Sequence, residues 1–221
     1  MALIYMFNAR TGIVERYNRT DGEPMPYNVG GTLTVGEFTN ATAANTIWSD
    51  TDTMRAFNST RSLFQNPISV RVGFLNIDET PKSSGDFYPA GVSFLMAPLG
   101  GTVQQLLAAA NNSGEWTTVE QRGNDVYADL SYAPCGLPGC SGYPNAFRGL
   151  ENNYVALLQN CLNRLGYKPG SVDSMFGPNT ESALRRFQRD LYLTEDGVAT
   201  PKIWASLIPL GYGLRAGPGT E

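Results

Sequence analysis

The chain has 221 residues, of which 42% are hydrophobic and only 16% are charged, with a formal net charge of −4 and no histidine. This length suffices for two domains, and the lack of a basic patch argues against nucleic acid or an anionic membrane as a partner. The lack of histidine excludes Ser-His-Asp and Cys-His nucleophile pairs and histidine-based zinc sites, so we predict neither a metal site nor a cofactor.

The first 133 residues have the pattern of a β-rich domain. The predicted strands alternate apolar and polar residues or form short apolar runs, and they cover residues 2–7, 13–17, 32–38, 68–77, 90–96, 116–121 and 125–132. Residues 102–110 give the one clear helix of this region, which ends at an Asn-Asn-Ser-Gly stretch. We therefore expect residues 1–133 to form a sandwich or barrel-like domain with one helix, serving as a scaffold in an assembly.

Residues 134–149 are rich in glycine and proline and lack periodicity, so we interpret them as a linker. Cys135 and Cys140 lie in this stretch. These two cysteines can form a disulfide if the protein acts outside a cell. Two thiols alone provide too few ligands for zinc.

From residue 150 onward the apolar period becomes that of helices. Apolar residues recur every three or four positions between Leu150 and Leu165, and Gly166 supplies a stop signal. Further helices are predicted to begin at Pro178 and Pro201, because proline favours the first helical position. The prediction is a three-helix domain over residues 150–210 followed by a tail at 211–221, which makes the whole chain an α+β multidomain protein.

Two stretches of this region repeat one order of residues. Each begins with an aspartate, Asp173 or Asp196, and has a proline five residues later and a leucine eleven residues later. An aspartate ahead of a helix can hydrogen-bond within its own turn and complement the positive end of the helix dipole. A structural role is therefore expected for both carboxylates, with direct ligand contact as the alternative.

The pattern resembles the peptidoglycan-binding domain family, a three-helix module. The matching segments are VALLQ at 155–159, LGY at 165–167, DSMFG at 173–177, Thr180, AL at 183–184, FQ at 187–188, DGV at 196–198, IW at 203–204 and Leu207. Ser174 stands where the family usually has glycine, and Ile203 stands where threonine or serine is common. The resemblance implies binding of peptidoglycan, although some members of the family serve only as packing modules.

The expected core of the module is apolar, so its ligand is expected at the exposed rim. Aromatic and hydrogen-bonding side chains suit a glycan strand or stem peptide, and arginine suits carboxylates. The candidate ligand-binding residues are Tyr167, Lys168, Asp173, Asn179, Arg185, Arg189 and Asp196. The expected core residues are Leu158, Leu162, Leu184, Phe187, Trp204 and Leu207.

Members of this family are commonly attached to wall hydrolases, so an enzyme is the natural alternative. Without histidine, only carboxylate chemistry of the lysozyme kind remains. The candidate acids include Glu15, on an apparent hairpin, and Glu79, in an apparent turn, and neither has the setting of a catalytic cleft. We therefore predict a non-catalytic protein without catalytic residues.

The first seven residues are apolar but lack a basic start, so no signal peptide is predicted. No run approaches the ~18 apolar residues of a membrane span. The sequence thus combines a wall-binding module with no predicted export signal. We therefore expect a protein that is made in the cytoplasm and leaves the cell inside a particle. The expected particle is a phage tail, baseplate or capsid, or a contractile injection apparatus, with symmetric copies or other structural proteins as partners. The alternative is a secreted cell-wall protein.

Overall fold

The computed structural model describes residues 1–39, 46–75, 87–132 and 142–211, and the chain divides into two compact units. The N-terminal unit contains the described residues up to 131 and holds two β-sheets. The C-terminal unit contains residue 132 and residues 142–211 and holds three helices. The predicted α+β layout, with a β-rich part followed by a helical part, is confirmed.

The first sheet has three strands in the order β2-β1-β3, with β1 (Ala2–Asn8) at its centre. β1 and β2 (Ile13–Arg19) form the predicted antiparallel hairpin. β3 (Thr46–Asp50) pairs in parallel with β1 and was not predicted. Ile4 and Met6 of the central strand are fully buried, which explains why this apolar run gives a clear strand signal.

The second sheet is antiparallel and has the order β4-β5-β7-β6. Its strands are β4 (Ile68–Val72), β5 (Ser93–Pro98), β6 (Thr118–Arg122) and β7 (Asp125–Asp129). The predicted strand at 68–77 stops at Val72, because the N–H groups of Gly73 and Phe74 both donate to the carbonyl of Phe38. Residues 76 and 77 lie outside the described residues.

The N-terminal unit contains three described α-helices, so the prediction of one helix is wrong. They are α1 (Val35–Phe38), α2 (Thr51–Phe64) and α3 (Val103–Ser113). The strand predicted at 32–38 is also wrong, because Thr34 and Glu37 form a capping box that begins α1. Only α3 corresponds to a helix predicted from the sequence.

An aromatic cluster around Phe94 of β5 forms much of the core of this unit. The centre of its ring lies 4.7 Å from that of Phe57 on α2 and 5.6 Å from that of Phe38 on α1. The Trp116 ring approaches it edge-on at 6.0 Å. Each fully buried phenylalanine contributes about 1.5–3 kcal/mol through the removal of apolar surface from water.

The C-terminal unit consists of α4 (Asn153–Arg164), α5 (Pro178–Asp190) and α6 (Pro201–Gly211). The predicted helix starts at Pro178 and Pro201 are confirmed. All six predicted core residues are buried, namely Leu158, Leu162, Leu184, Phe187, Trp204 and Leu207. In the parts of the chain that the structure describes, no helix is both long and apolar enough to cross a membrane.

Residues 142–149, assigned to a linker above, pack in the structure with the helical unit. The Tyr143 ring stacks on the Trp204 ring at 5.1 Å. The indole Nε1–H of Trp204 donates to the Pro144 carbonyl at 2.8 Å, and Ala146 exchanges two backbone hydrogen bonds with Ala199. Cys135 and Cys140 lie outside the described residues, as do residues 212–221 of the predicted tail.

Candidate functional site

A buried glutamine holds the first of the two aspartate turns. Gln159 on α4 is 1% exposed, and its Nε2 donates to Oδ1 of Asp173 at 2.8 Å and to the carbonyl of Met175 at 3.0 Å. Its Oε1 accepts from the backbone N–H groups of Asp173 and Ser174. The Met175 N–H donates to Oδ1 of Asp173, and this hydrogen bond closes the turn. One amide side chain thus ties the middle of a helix to four groups of the turn.

The second turn has the same construction. Nε2 of Gln188 on α5 donates to Oδ1 of Asp196 at 2.7 Å and to the carbonyl of Val198 at 3.1 Å, and its Oε1 accepts from the N–H of Gly197. The Val198 N–H donates to Oδ1 of Asp196. The repeated sequence therefore encodes a repeated hydrogen-bonded turn, in which each aspartate uses Oδ1 to stabilise its own backbone.

The residue after each aspartate has a left-handed backbone, with φ of +65° at Ser174 and +73° at Gly197. Glycine adopts this conformation freely, whereas a residue with a Cβ atom is strained by about 1–2 kcal/mol. Ser174 is fully buried, and its hydroxyl has no hydrogen-bond partner in the described residues. The first turn is thus the more strained of the two.

A polar cavity of about 290 Å³ lies at the first turn. It is lined by Gln159, Pro169, Gly170, Ser171, Asp173, Met175, Gly177, Pro178, Asn179 and Thr180. Two predicted ligand residues, Asp173 and Asn179, therefore lie in one cavity. Asn179 is exposed, and its side-chain amide makes no hydrogen bond to any residue that the structure describes.

The chemistry of this cavity suits binding of neutral polar groups. The amide of Asn179 can donate and accept hydrogen bonds, and the Ser171 hydroxyl can do the same. Met175, whose exposed fraction is 40%, adds an apolar contact. Hydroxyl and amide groups of a ligand could therefore be bound here beside one small apolar surface.

The second turn is covered by an ion pair. A Cβ atom placed on Gly197 would lie 3.0 Å from Cγ of Glu181 and 3.1 Å from Nε of Arg185. Nη2 of Arg185 lies 2.8 Å from Oε1 of Glu181, and its Nη1 donates to the Glu195 carbonyl. The hydrogen bond from Arg185 lowers the pKa of Glu181. Arg185, a predicted ligand residue, thus packs against the second turn.

Arg189, another predicted ligand residue, is also paired. Its Nε and Nη2 atoms contact the two carboxylate oxygens of Glu195 at 2.9 and 2.6 Å. These hydrogen bonds lower the pKa of Glu195. The guanidinium groups of Arg185 and Arg189 therefore already have carboxylate partners within the unit.

The remaining two candidates lie after the end of α4. The Tyr167 ring packs edge-on against Phe187 at 5.6 Å, and its hydroxyl donates to Oδ2 of Asp190 at 2.8 Å. Burial, with a smaller effect of Asp190, raises the pKa of Tyr167 to about 12. Lys168 is exposed and makes no contact with a partner in the described ranges. The seven predicted residues thus fall into three groups rather than one site.

The two glutamines that organise both turns have no role predicted from the sequence. Gln159 and Gln188 each occupy a buried position of a helix, directly after an apolar core residue. A polar residue on an apolar helical face is a signal that could have found them, because a buried polar group needs hydrogen-bond partners. The two cavity residues Ser171 and Met175 carry no such signal in the sequence.

The candidate acid Glu15 lies in a closed hydrogen-bond network in the N-terminal unit. Its carboxylate accepts from the hydroxyls of Tyr17 at 2.5 Å and Tyr27 at 2.7 Å and from Nδ2 of Asn8 at 2.9 Å. The hydrogen bonds from Tyr17 and then Asn8 lower the pKa of Glu15. A glycosidase acid needs the opposite shift, so this carboxylate lacks the protonation state of that role.

Glu79 lies outside the described residues. Among the residues that the structure describes, no group of three or more histidine, cysteine, aspartate and glutamate side chains is placed to hold a metal ion. The candidate site is therefore the cavity at the first turn of the C-terminal unit.

Comparison with known proteins agrees with the resemblance seen in the sequence. Residues 151–207 match the model of the family described as "Putative peptidoglycan binding domain". The match covers both glutamine-held turns and all three helices up to Leu207, so the resemblance is confirmed over these residues.

Curated proteins are also similar to parts of this chain. The N-acetylmuramoyl-L-alanine amidase CwlM of Mycobacterium tuberculosis is 34% identical over 95 residues, which are 43% of this chain and 23% of that protein. An uncharacterized protein of Kitasatospora aureofaciens is 36% identical over 73 residues, 31% of this chain and 62% of its own. Protein FadG of Bacillus subtilis, also uncharacterized, is 36% identical over 59 residues, 26% of this chain and 10% of its own. The chain thus spans less than two thirds of each of these relatives.

A solved structure of a peptidoglycan-binding protein from Clostridioides difficile, in complex with glutamine hydroxamate, also aligns with the chain. The alignment covers 53% of this chain and 72% of the other, at 23% identity and a TM-score of 0.31.

Proposed function

Because residues 151–207 belong to the peptidoglycan-binding domain family, we propose that the C-terminal unit attaches this protein to the peptidoglycan of a bacterial cell wall. The observation that carries the proposal is that the family match includes a polar cavity with an unpartnered amide at Asn179. The unit provides a binding surface, and its two turns provide the rigid frame of that surface.

The cavity fits a small part of a polymer. Ligand pockets for drug-sized molecules have volumes of about 300–1,000 Å³, and this cavity of about 290 Å³ is at the lower end. Peptidoglycan offers hydroxyl, acetamido and peptide groups along its chains, which match the hydrogen-bonding groups of Ser171 and Asn179. We place one sugar or one amino-acid residue of the wall polymer in this cavity.

Co-sedimentation of the full chain with purified insoluble sacculi tests the proposal. The wild-type protein is expected to bind saturably. Asn179→Asp is expected to weaken binding about tenfold, because it removes the amide donor and adds a negative charge beside Asp173. Asn145→Asp is the matched control, since Asn145 is also exposed in the C-terminal unit but does not line the cavity.

Two outcomes contradict the proposal. Absence of saturable binding to sacculi from several bacterial types removes peptidoglycan as the ligand. Equal loss of binding in Asn179→Asp and Asn145→Asp removes the cavity as the site. Tyr167, Lys168, Arg185, Arg189 and Asp196 remain predicted ligand residues, to be replaced one at a time in the same assay.

We also propose that the protein is not an enzyme. The lowered pKa of Glu15 and its three hydrogen-bond partners support this proposal. The amidase activity in the name of the mycobacterial relative belongs to that protein, of which the aligned segment is 23%. Clearing of a wall substrate in a zymogram by the wild-type protein, abolished in Glu15→Gln or Glu79→Gln, is the result that contradicts it.

The finer proposal is that the protein is a structural component of a phage particle or contractile injection apparatus. The charged fraction of 16% supports it, because a typical globular domain has about 25% charged residues and a surface covered by partners needs fewer. Mass spectrometry of purified particles is expected to find the chain at a symmetric copy number. Its presence in the wall fraction and absence from particles favours a secreted wall protein instead.

A further inference from the structure

The helices α4 and α5 end in the same way, except for one residue. After α4, the N–H of Gly166 donates to Asn163 and the N–H of Tyr167 donates to Leu162, five residues back. After α5, the N–H of Tyr192 donates to Arg189 and the N–H of Leu193 donates to Gln188, also five residues back. Tyr192 therefore occupies the position that glycine occupies in the first copy.

This position requires a left-handed backbone, which tyrosine adopts at a cost. The φ angle is +86° at Gly166 and +56° at Tyr192. Glycine is the usual residue at this point of a helix end because it has no Cβ atom. Strained residues of this kind concentrate at functional sites. Stability alone therefore does not account for a tyrosine here.

The side chain of Tyr192 points to solvent. Its exposed fraction is 97%, and neither its ring nor its hydroxyl contacts another residue in the described parts of the chain. Other exposed tyrosines have partners: the Tyr27 hydroxyl donates to Glu15, and the Tyr132 ring packs against Tyr154. Tyr192 is thus an accessible aromatic ring without an internal contact.

The residues near Tyr192 in sequence favour a sugar over a protein as its partner. Asp190, Thr194 and Glu195 are polar and exposed, Glu195 is paired with Arg189, and the adjacent Leu191 and Leu193 are half-buried. The core of a protein interface needs a contiguous apolar patch around its aromatic anchor. A single ring among polar groups suits a pyranose instead, which presents an apolar C–H face surrounded by hydroxyls.

We propose that Tyr192 contacts the glycan strand of peptidoglycan by stacking its ring on a sugar face. This inference rests on the proposed function and adds a contact residue outside the cavity at the first turn. Replacement of Tyr192 by glycine is expected to have two opposite effects. Loss of the ring weakens binding, and relief of the backbone strain raises the melting temperature.

The test uses the full chain and the soluble glycan strands that an amidase releases from sacculi by removing the cross-linking stem peptides, and calorimetric titration measures binding. Tyr192→Gly is expected to weaken binding about tenfold and to raise the melting temperature of the C-terminal unit by about 4 °C. Tyr192→Phe is expected to retain wild-type affinity. Tyr192→Asn, which tolerates the left-handed backbone, is expected to lose affinity as Tyr192→Gly does.

Gln65→Gly is the matched control for relief of strain. Gln65 ends α2 with a φ of +60° and is exposed, but it lies in the N-terminal unit. This substitution is expected to raise the melting temperature of that unit and to leave binding unchanged.

The outcomes separate this inference from the proposed function. Wild-type binding together with Tyr192→Gly and Tyr192→Asn affinities within twofold of wild type overturns the stacking contact and leaves the proposed function intact. Binding that depends on Tyr192 only when stem peptides are present also overturns the glycan contact. If the wild-type protein binds neither intact sacculi nor peptide-free glycan strands, both proposals are wrong.

Discussion

The Nε2 atom of Gln159 lies 2.8 Å from Oδ1 of Asp173, and this hydrogen bond joins the middle of α4 to the turn that precedes α5. Gln188 and Asp196 repeat the relationship at 2.7 Å between α5 and the turn before α6. The repeated sequence thus duplicates a helix, its buried glutamine and the turn that the glutamine organises.

Replacement of Gln159 by leucine is expected to destabilise the C-terminal unit by about 3 kcal/mol or more. Leucine has a similar size but cannot accept from the N–H groups of Asp173 and Ser174 or donate to the Met175 carbonyl, and an unsatisfied buried group costs about 1–3 kcal/mol. The thiol of Cys161 reports the change, because it is fully buried and burial raises its pKa to about 12. Thiol labelling in increasing urea, read at the Cys161 peptide, measures the unfolding midpoint.

Asn145→Leu is the control for this experiment. Asn145 is exposed in the same C-terminal unit as Cys161, and a change from an amide side chain to leucine at an exposed position is expected to alter stability by no more than about 0.5 kcal/mol. A Gln159→Leu protein as stable as the Asn145→Leu protein contradicts the role of Gln159.

Replacement of Ser174 by glycine is expected to stabilise the C-terminal unit by about 1 kcal/mol. The change relieves the left-handed backbone at φ +65° and removes a buried hydroxyl without a partner. The reverse change at the matching position, Gly197→Ser, is expected to destabilise by more than this, because its Cβ atom would also crowd Cγ of Glu181 and Nε of Arg185. Urea unfolding of both variants tests the pair, and a less stable Ser174→Gly protein contradicts this account of the strain.

Replacement of Gly91 by alanine is expected to destabilise the N-terminal unit by about 3 kcal/mol or more. A Cβ atom at Gly91 would lie 1.8 Å from the carbonyl oxygen of Trp48, so the backbone of β3 has to move. Gly114→Ala measures the part of this loss that comes from the left-handed backbone alone, because Gly114 has a similar φ of +66° and no atom within 4 Å of its Cβ position. Calorimetry is expected to show a loss of only about 1 kcal/mol for Gly114→Ala, and equal losses contradict the steric explanation.

The stability of the N-terminal unit is expected to contain a component from Asp50 that falls as pH rises. Burial, with a smaller effect of Asp52, raises the pKa of Asp50 to about 6, although the Thr53 N–H donates to its carboxylate at 2.7 Å. The unfolded chain has a pKa of about 3.9 at this group. Between these values the folded state binds a proton that the unfolded state has released, so the free energy of unfolding decreases with increasing pH.

Asp50→Asn retains an acceptor oxygen for the Thr53 N–H and removes the titration. The wild-type minus variant difference in unfolding free energy is expected to decrease by about 2 kcal/mol from pH 4 to pH 7. Urea unfolding at several pH values measures this difference. A difference that is independent of pH, or that increases with pH, is the contrary result.

The helical unit was more predictable than the β-rich unit, for physical reasons. Pro178 and Pro201 mark helix starts through a backbone angle fixed by the residue itself. By contrast, the alternation of apolar and polar residues at 32–38 favours a strand, and the capping box of Thr34 and Glu37 overrides it. α2 was missed although its buried Met54 and Phe57 follow helical spacing, because polar residues dominate the rest of its sequence.

The candidate site was predictable only in part. Asp173 belongs to the repeated pattern and Asn179 to the predicted exposed rim, and both line the cavity. Gln159 and Gln188 were not assigned a role, since each glutamine lies at a different distance in sequence from its aspartate, and only folding brings the pairs together. The Arg185–Glu181 pair has the i,i+4 spacing of neighbours on one helix and was predictable. The Arg189–Glu195 pair spans the end of α5 and depends on three-dimensional contacts that spacing does not reveal.

The attachment of residues 143–146 to the last helical segment has a mechanical consequence. Tension applied to the chain at residue 142 reaches the module first through the Ala146–Ala199 bridge and the contacts of Trp204 with Tyr143 and Pro144. Tyr143 also packs edge-on against Tyr154 in the first turn of α4 at 6.1 Å, so a pulling force is shared between the last helix of the module and the first. A tether that enters in this way loads several contacts together instead of unzipping the first helix turn by turn.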